Sequence, residues 1–494
     1  MGKTLLCACE DVSLDEVRRA VAAGHRDLES VKRYTGFGTG PCQGKSCLAL
    51  VARELLRLGA TPGEIAPFTA RPPREPTTLA TLAALDPATL PIGHAGVPPD
   101  MPPLAPGPQA LPPLPARADV VIIGGGILGL SLAYELARRG TRDVLVLDQA
   151  YLNAGASGRN GGGVRAQWST PDLVTLALRS LALCRRFAVD LGINVWFRPG
   201  GYLFLAPDGA QVARLERNAA LHARHGMRTR LLTPSQALEV VPHLDPSRFV
   251  AASWNPDDGV VFPWPFLWGY ATQAEAMGVK VRTFTRVTGL RRSGDRLTHV
   301  ETDRGAVACE LVVNAAGAWS KQVAALAGVA TPNRPTRHEI LVGEPLEPFL
   351  DPLVSLLGTG LYFSQSQRGE LVGGMGDPGE PEGISLGSTL RFLARFARAS
   401  TRLMPRLGGV KVIRQWAGCY DVTPDNNPIL GPAGFANFHQ LHGFVGHGFM
   451  MAPAMAELYA DWLTGRGKHE FFDRFSLARF SASGAAVRED FIIG

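Results

Sequence analysis

The hydrophobic pattern of the chain changes period three times within one short stretch. An unbroken apolar run over residues 120–123 ends in three glycines, which is typical of a buried β-strand entering a tight turn. Leu128, Leu132 and Leu136 then recur at helical spacing, and a second apolar run follows over residues 144–147. This order of elements predicts a strand–helix–strand unit with two parallel strands.

The glycines of this unit fit the pattern G-x-G-x-x-G at Gly124, Gly126 and Gly129. The first permits the tight turn, the second lets a pyrophosphate approach the backbone, and the third lets the helix pack on the strand. The helix N-terminus offers free N–H groups to the phosphates. Asp148 follows the second strand, where an acid accepts hydrogen bonds from ribose hydroxyls. A buried turn without a ligand is the alternative, but the flanking strands and the acid favour a dinucleotide site.

The residues after 117 have the pattern of one large α/β unit. A buried strand within residues 311–320 ends in small residues, and such a turn lets the backbone pass close to a ligand. The segments 201–206 and 361–374 are predicted as strands of a second sheet. A last helix is predicted from about Ala452.

A loop of small residues, SGRNGGGVRAQWST, occupies positions 157–170. Its glycines and its two cations, Arg159 and Arg165, suit a loop that wraps a dinucleotide. A flexible surface loop is the alternative, although three glycines beside arginine and tryptophan are unusual for one.

The first 60 residues predict a small unit of three helices. Ser13 and Glu16 form a capping box that opens a helix through Ala23, before a glycine. The other two helices are predicted over residues 27–34 and from about 46 to 58.

Four of the seven cysteines lie in this unit, whereas the other three are scattered singly. Cys7 and Cys9 precede the first helix as C-x-C, and Cys42 and Cys47 precede the last as C-x4-C. In a cytosolic chain such clustering favours a metal over disulfides. An iron–sulfur cluster takes four thiolates and N–H donors to sulfur, which a glycine-rich loop supplies. Zinc also accepts four cysteines, although C-x-C is an awkward chelate for it.

A proline-rich stretch separates the two units, and its composition predicts a semi-rigid linker with one short helix within residues 77–86. We therefore divide the chain into an N-terminal domain, a linker and a large domain, at residues 1–66, 67–117 and 118–494. Within the large domain we assign dinucleotide-binding parts to about 118–195, 256–330 and 416–494, and substrate-domain parts to about 196–255 and 331–415.

Composition and charge limit the partners of the chain. Its 494 residues suffice for two or three domains, and 46% hydrophobic with 19% charged residues is ordinary for a globular protein. The net charge of +6 is small and no block of like charges occurs, which argues against nucleic acid. The most apolar stretches fall short of the roughly 20 residues of a membrane span, and no signal peptide is evident. We therefore expect a cytoplasmic protein without a transmembrane segment.

The segments CACED (7–11) and GTGPCQGKSC (38–47) resemble the [2Fe-2S] domain of bacterioferritin-associated ferredoxins. The C-x4-C spacing resembles the version of that domain fused to subunits of flavin-dependent amine and opine dehydrogenases. The resemblance covers about 60 residues. It implies a [2Fe-2S] cluster with four ligands, Cys7, Cys9, Cys42 and Cys47.

The motifs GGGILG, SGRNGGGVRAQW, NAAGAW, TPDNNPILG and GFVGHGFMMAP together resemble the D-amino-acid oxidase-like flavoproteins. Within these, they are most similar to the β subunits of heteromeric sarcosine oxidase and of proline, hydroxyproline and opine dehydrogenases. The resemblance implies an α/β fold, with a Rossmann-like FAD-binding domain interleaved with a mixed-sheet substrate domain and preceded by a small helical [2Fe-2S] domain. The implied FAD-binding residues are Gly124, Gly126, Ile127, Leu128, Gly129, Asp148, Ser157, Arg159, Asn160, Gly161, Gly162, Val287, Ala316, Gly317, Gly443, Gly446, His447, Gly448 and Met450.

Two departures from the family pattern bear on the cofactor and the substrate. Monomeric sarcosine oxidases attach FAD through a cysteine two residues before a tyrosine. Here Gly418 occupies that position and Cys419 lies one residue later, so we expect noncovalent FAD. These enzymes also bind the substrate carboxylate through a lysine where this chain has Met450.

The carboxylate anchor must therefore come from elsewhere, and Arg165 and Arg337 are candidates, although either could bind phosphate or lie at the surface. His338 falls where related dehydrogenases carry a histidine near the flavin, and a core histidine is the alternative. Three tyrosines could line the pocket or belong to the core, Tyr202, Tyr362 and Tyr420. For catalysis and substrate positioning we single out His338, Arg165 and Tyr420.

The resemblance implies oxidation of the C–N bond of an amino acid or secondary amine, of the proline, hydroxyproline, sarcosine or opine type, by hydride transfer to the flavin. Electrons would then pass to the [2Fe-2S] cluster. Two alternatives stay open. A glycerol-3-phosphate-type flavin dehydrogenase should bring a basic phosphate pocket, which is not evident in the sequence. A non-catalytic electron-transfer subunit of a flavoprotein complex would serve a partner's reaction.

Partners follow from the same resemblance. Related β subunits work beside an α subunit, and some such assemblies carry FMN between the two. We therefore expect a heteromer with an α-type subunit and a separate electron acceptor, through which the protein could be peripheral to the inner membrane. In sarcosine oxidase β subunits the FMN is attached through a histidine. The corresponding stretch here, residues 260–271, contains none, so any FMN should be noncovalent.

Overall fold

The computed structural model of the protein describes residues 3–22, 25–68, 72–92, 111–152, 154–481 and 488–492. Within these ranges the chain forms α-helices and β-strands that we number separately from the N-terminus. The helices are α1 Leu14–Ala22, α2 Leu28–Thr35, α3 Leu48–Arg57, α4 Leu79–Ala83, α5 Ile127–Arg138, α6 Pro171–Cys184, α7 Phe187–Asp190, α8 Gly209–Arg224, α9 Pro234–Val240, α10 Pro263–Ala276, α11 Ser320–Leu326, α12 Leu390–Leu403, α13 Gly448–Leu463 and α14 Phe471–Arg474. The strands are β1 Leu5–Cys7, β2 Val12–Ser13, β3 Thr77–Thr78, β4 Arg117–Ile123, β5 Val144–Leu147, β6 Gly163–Val164, β7 Arg198–Pro199, β8 Tyr202–Ala206, β9 Arg230–Leu232, β10 Ala251–Asn255, β11 Gly259–Val260, β12 Lys280–Arg282, β13 Val287–Ser293, β14 Arg296–Thr302, β15 Gly305–Asn314, β16 Arg334–Pro345, β17 Leu353–Leu356, β18 Leu361–Gln365, β19 Glu370–Gly374, β20 Lys411–Val422, β21 Ile429–Ala433 and β22 Phe435–His442.

The N-terminal domain packs α1, α2 and α3 beside the β1–β2 hairpin around a small hydrophobic core of its own. The predicted capping box is present, because the Ser13 N–H donates to Glu16 Oε2 at 2.7 Å and the Glu16 N–H donates to Ser13 Oγ at 3.2 Å. Asp27 caps the start of α2, and Gly36 follows its end with φ at 83°. All three predicted helices are confirmed. Residues 23 and 24, at the predicted end of the first, lie outside the described residues.

The large domain contains an eight-stranded sheet in the order β12-β5-β4-β15-β14-β13, in which β22 also pairs with β15 and β21 with β22. The pairs β12–β5, β5–β4, β4–β15 and β15–β22 are parallel. Helices α5, α10 and α13 contribute to one hydrophobic core beside this sheet. The carboxyl ends of β5, β4, β15 and β22 therefore lie next to one another in that order.

A second, nine-stranded sheet has the order β3-β20-β16-β19-β18-β17-β8-β10-β9. Its pairs are antiparallel except for β17 with β8, and α12 covers part of one face. Strand β20 continues to Val422, seven residues past the limit at 415 that the sequence suggests, so Tyr420 belongs to this sheet. The predicted α/β architecture with a mixed second sheet is confirmed.

Part of the predicted linker is packed on the second sheet. Strand β3 pairs with β20, and α4 buries Leu79 and Leu82 in the core beneath α12. The short helix predicted within residues 77–86 is present as α4. Residues 93–110 lie outside the described residues, and the domain limits stay a prediction.

The N-terminal domain also contacts the large domain directly. The Gln43 amide donates to the Ile413 carbonyl, and Arg414 of β20 donates to the carbonyl of Thr39. The Arg33 guanidinium lies 4.1 Å from the ring centre of Tyr151. The N-terminal domain therefore packs against the large domain and is not connected to it through the linker alone.

Helix α13 begins at Gly448, earlier than the predicted start near Ala452. The predicted start was four residues too late. Pro453 lies inside the helix, although proline is more common in the first turn. Within the described ranges, none of the helices is both long and apolar enough to cross a membrane.

Candidate functional site

The turn between β4 and α5 has the geometry that its glycines predict. Gly124 has φ at 114°, and a Cβ atom there would lie 2.4 Å from the carbonyl oxygen of Ala315. A Cβ atom at Gly129 would lie 2.0 Å from the carbonyl oxygen of Gly124. At Gly126, the cap of α5, a Cβ atom would meet only the Ser157 hydroxyl, at 3.1 Å. The turn is thus tight against backbone at two glycines, whereas the third is close only to a side-chain hydroxyl.

A cleft of about 360 Å³ runs along this turn at the carboxyl ends of the parallel strands. Asp148, at the end of β5, accepts hydrogen bonds from the Gly125 and Ala150 N–H groups, each at 2.8 Å. Burial raises the pKa of its carboxyl to about 6. The predicted FAD residues that line the cleft are Gly124, Gly126, Ile127, Leu128, Asp148, Ser157, Asn160, Val287, Ala316, Gly317, Gly443, Gly446 and Gly448.

The other predicted FAD residues lie elsewhere. Gly129 is inside the packed turn, and Arg159 and Gly161 line a second cavity. Gly162, His447 and Met450 line neither of these two cavities. The Arg159 side chain is used structurally, because it donates to the carbonyls of Ala154 and Ala417.

The cleft also has lining residues that sequence reasoning missed, among them Gly125, Thr285, Trp319, Cys419, Asp421 and His442. His442 directly precedes the quoted motif GFVGHGFMMAP, and Asp421 lies two residues before TPDNNPILG. That proximity was the available signal. Their approach to each other depends on where β20 and β22 end, which the sequence does not reveal.

Three aromatic side chains form a stacked cluster next to the cleft. His338 Nε2 lies 3.0 Å from the Tyr362 hydroxyl, and the His338 ring stacks on Tyr420 at 4.6 Å between centres. The Tyr420 ring lies against Gly446, whose Cβ position would be 2.3 Å from it, and Gly446 lines the cleft. Burial lowers the pKa of His338 to about 4 and raises that of Tyr420. The cluster is therefore uncharged at neutral pH.

Arg165 is fully buried behind this cluster. Its guanidinium donates to the carbonyl of Phe491 at 2.7 Å and to that of Gln167, and it lies 3.9 Å from the ring centre of Trp168. Burial lowers the pKa of Arg165 to about 10, so the side chain stays charged at neutral pH. Its Nε atom has no hydrogen-bond partner among the described residues.

Arg337, the other candidate anchor, forms a buried ion pair with Glu380 at 2.7 Å and donates to the Gly387 carbonyl. It lines neither the cleft nor the second cavity. The ion pair stabilises the fold around β16. The three residues singled out for catalysis, His338, Arg165 and Tyr420, also line neither cavity.

The second cavity, of about 750 Å³, lies between the N-terminal domain and the large domain. Arg33 and Tyr34 of α2 form one wall, and residues 260–265 with Trp268 form another. Asn160 lines both this cavity and the cleft, so the two spaces meet there. On its far side the cavity reaches Gly38.

The four N-terminal cysteines lie together as two hydrogen-bonded pairs, Cys7 with Cys47 and Cys9 with Cys42. The Gly38 backbone N–H contacts the sulfur atoms of the first pair. The hydrogen bond from Cys47 lowers the pKa of the Cys7 thiol to about 6. Across the described ranges, no three His, Cys, Asp or Glu side chains are arranged to hold a metal ion.

Comparison with known proteins gives two family matches. Residues 119–462 match the family described as FAD dependent oxidoreductase, DAO, and residues 1–86 match the Sarcosine oxidase A3 domain. Sarcosine oxidase subunit beta of Rhizobium meliloti (strain 1021) is 31% identical over 367 residues, which cover 73% of this chain and 88% of that protein.

Solved structures agree with these matches. The L-proline dehydrogenase from P. horikoshii is 34% identical with a TM-score of 0.71, and the alignment covers 74% of this chain and 99% of that one. Glycine oxidase from Geobacillus kaustophilus is 25% identical with a TM-score of 0.67, over 77% of this chain and 100% of that one.

The parallel sheet, the glycine turn and the cleft along it define a flavin-dependent oxidoreductase. The chain belongs to the DAO family of FAD-dependent oxidoreductases, and it is an amino-acid or amine oxidase or dehydrogenase. Its N-terminal residues are of the sarcosine oxidase A3 type.

The residues of the cleft fit FAD held without a covalent bond. Cys419 lines the cleft, but its thiol donates to the Ser385 carbonyl at 3.2 Å and burial raises its pKa to about 11. A thiol in that state is a poor nucleophile. Acid precipitation should therefore release all FAD from the purified protein, and yellow colour left in the pellet would contradict this expectation.

In the same preparation, Gly126→Val should retain no FAD through gel filtration, because the added methyl groups would fill the space that the pyrophosphate needs. Gly209→Ala is the matched control, since a Cβ atom there meets nothing within 4 Å.

Proposed function

We propose that the protein is an FAD-dependent dehydrogenase that oxidises the C–N bond of an amino acid or secondary amine, of the proline, hydroxyproline, sarcosine or opine type. The observation that carries the proposal is the uncharged cluster of His338, Tyr362 and Tyr420 beside the FAD cleft. Similar proteins are named sarcosine oxidase, L-proline dehydrogenase and glycine oxidase, and all three names denote amine-bearing substrates.

FAD in the cleft would supply the two-electron oxidation of the C–N bond. The chain's own task is to hold an uncharged amine there and to exclude water. Because burial keeps the pKa of His338 near 4, its imidazole is neutral at physiological pH and can accept a hydrogen bond or a proton from the amine. The Tyr362 hydroxyl, 3.0 Å from His338 Nε2, fixes the orientation of that ring.

Arg165 would bias the site toward a substrate that carries a carboxylate. Burial raises the pKa of the Tyr420 hydroxyl and lowers that of His447. The charge of Arg165 opposes the first shift and adds to the second, so its field reaches Tyr420 in the cluster. Two of its nitrogens already donate to backbone carbonyls, which leaves Nε for a further partner. Arg337 also has a partnerless Nε, but its charge is already paired with Glu380. We therefore assign the substrate carboxylate to Arg165 and not to Arg337.

The test of this function is anaerobic mixing of the protein with proline, hydroxyproline, sarcosine and opines. At least one of them should bleach the flavin in the absence of any other protein. His338→Gln should slow that bleaching about 100-fold, the lower range for loss of a general base. The exposed His469→Gln is the control and should leave the rate unchanged.

Two outcomes of that experiment would contradict the proposal. Bleaching by glycerol 3-phosphate instead of amines would favour a glycerol-3-phosphate-type dehydrogenase. Bleaching only when a catalytic partner is added would favour an electron-transfer subunit.

We further propose that the four N-terminal thiols bind a [2Fe-2S] cluster. Such a cluster takes four thiolates, which is two for each iron, and the two cysteine pairs match that number. Backbone N–H groups of Gly38, Gly44 and Ser46 contact the sulfur atoms, as cluster-binding loops require. The cluster would carry electrons one at a time toward an acceptor.

Analysis of the pure protein should find two iron and two sulfide ions per chain, whereas zinc in their place would end this proposal. Cys42→Ser should lose the visible absorbance of the cluster and keep FAD, because every residue lining the FAD cleft belongs to the large domain. Cys184→Ala is the control, since this buried cysteine lies in the core of the large domain and should affect neither cofactor.

Finally, we propose a heteromer with an α-type subunit and noncovalent FMN as a second flavin. The name subunit beta, carried by a similar protein, implies a partner for that protein. The cavity of about 750 Å³ has room for FMN, and the Arg33 guanidinium lies 5.7 Å from the ring centre of Trp264 in its wall. Because this cavity meets the cleft at Asn160 and reaches Gly38 beside the thiols, a ligand there would lie between FAD and the cluster.

Tagged protein expressed with its genomic neighbours should therefore carry a second subunit by native mass spectrometry and release FMN as well as FAD in acid. Trp264→Ala should lose FMN and keep FAD, because its ring forms only the wall of the second cavity. Trp254→Ala, in β10 of the second sheet, should keep both. A pure, active homomer that holds FAD without FMN would refute the proposal.

A further inference from the structure

Arg368 lies at the boundary between the N-terminal domain and the large domain, and none of the roles described so far uses it. It belongs to the turn between β18 and β19, and its Nη2 atom forms an ion pair with Glu10 Oε2 of the N-terminal domain. The Glu10 side chain is only 4% exposed, so water screens this pair only in part. Because Glu10 directly follows Cys9, the pair places a cation of the large domain beside the proposed cluster ligands.

The glycine-rich loop between α2 and α3, which carries two of the four thiols, packs against both members of this pair. A Cβ atom at Gly40 would lie 2.8 Å from Glu10 Oε1 and 2.5 Å from Cys9 Cβ. A Cβ atom at Gly36 would lie 3.7 Å from Arg368 Nη1. The ion pair therefore adjoins both cysteine-bearing segments of the N-terminal domain.

The charge of Arg368 acts on the sulfur atoms. The hydrogen bond from Cys47 is the main cause of the lowered pKa of the Cys7 thiol, and the positive charge of Arg368 lowers this pKa further. A field that favours the thiolate also favours any other negative charge that is added at the same atoms.

Further charges continue from this ion pair along the domain boundary. Glu370 Oε1 lies 3.9 Å from Arg368 Nε and 4.0 Å from Arg414 Nη2. Burial lowers the pKa of Arg414 only to about 10, so this side chain is charged at neutral pH. Two arginines and two glutamates thus balance one another. Removal of one member leaves an uncompensated charge next to the cysteine loops.

We propose that Arg368 raises the reduction potential of the [2Fe-2S] cluster and that Glu10 lowers it. Reduction adds one negative charge to a group that is already anionic, so a nearby cation stabilises the reduced form and a nearby carboxylate destabilises it. Each reduction takes one electron from the reduced flavin, so the two electrons of one amine oxidation leave in two steps. Because the cation belongs to the large domain, the potential depends on the contact between the two domains. The inference rests on the cluster proposed above and is independent of which amine is oxidised.

The test is an anaerobic potentiometric titration of the full-length protein with dithionite and mediators, in which electron paramagnetic resonance reports the reduced cluster. Arg368→Gln should lower the potential, so that the ratio of reduced to oxidised cluster at a fixed potential falls about tenfold, or about 59 mV for one electron. This is the order expected for one charge at roughly 10 Å in a medium of effective dielectric constant about 20. Arg368→Lys keeps the charge and should stay near the native potential.

Glu10→Gln breaks the same ion pair and should shift the potential in the opposite direction, upward by a similar factor. A purely structural role of the pair would instead shift the potential in the same direction in both variants. The double variant with Arg368→Gln should return near the native potential. Arg291→Gln is the matched control, because it removes an arginine that pairs with Glu301 at 2.6 Å on β13, an edge strand of the other sheet. It should leave the potential unchanged.

Shifts of Arg368→Gln and Glu10→Gln in the same direction, or no shift in either, would overturn the inference. Iron and sulfide analysis separates this failure from failure of the cluster proposal. Protein without iron and sulfide would reject the cluster and this inference together, whereas a cluster whose potential ignores both charges would reject this inference alone.

Discussion

The contact between Gly129 and the carbonyl oxygen of Gly124 is the constraint on which the rest of the large domain depends. A single methyl group at Gly129 would lie 2.0 Å from that oxygen. This close contact lets α5 begin directly after the glycine turn that follows β4, so that its N-terminal residues line the cleft. Helix α13 packs on α5 and begins at Gly448, which also lines the cleft. Two helix N-termini thus supply fixed positive ends to one space.

Charge is arranged around this space in layers. The aromatic groups next to the cleft are uncharged, because burial holds His338 neutral and the tyrosines protonated. One layer behind lie the charged guanidinium of Arg165 and the carboxyl of Asp258. Asp258 accepts hydrogen bonds from the Ala166 N–H and the Gln167 amide, and burial raises its pKa to about 7. A neutral lining backed by a guanidinium charge favours a substrate that has lost its ammonium proton over one that keeps it.

The sequence predicted those parts of the fold that depend on local chemistry. The glycine turn, the Ser13 capping box and the helix cap at Asp27 each involve residues within five positions of one another, and all appear in the structure. Most of the residues that the family resemblance implies for FAD line one cleft, and the glycine motif at residues 124–129 indicates the turn at its edge directly.

The parts that sequence reasoning missed depend on pairing between distant segments. The ion pair of Arg337 with Glu380, the packing of α4 on the second sheet and the approach of Asp421 to His442 each require a strand register that no local pattern encodes. For Arg165, the guanidinium contacts the carbonyl of Phe491, which is 326 positions away. An arginine in a glycine-rich loop is typical of an anion site. No residue near Arg165 in the sequence indicates that the C-terminal segment contacts its guanidinium.

Strand β20 fixes the spacing of several contacts, because their residues lie along one strand. Along its twelve residues, Arg414 meets the N-terminal domain, Trp416 donates to the Arg159 carbonyl, Tyr420 stacks on His338, and Asp421 holds His442. Successive side chains of a strand point to opposite faces, so an insertion or deletion of one residue would turn every later contact to the wrong side. We therefore expect natural length variation in relatives that share these four contacts to fall at the ends of this strand and not within it. The spacing of the four contacts is then conserved as a unit.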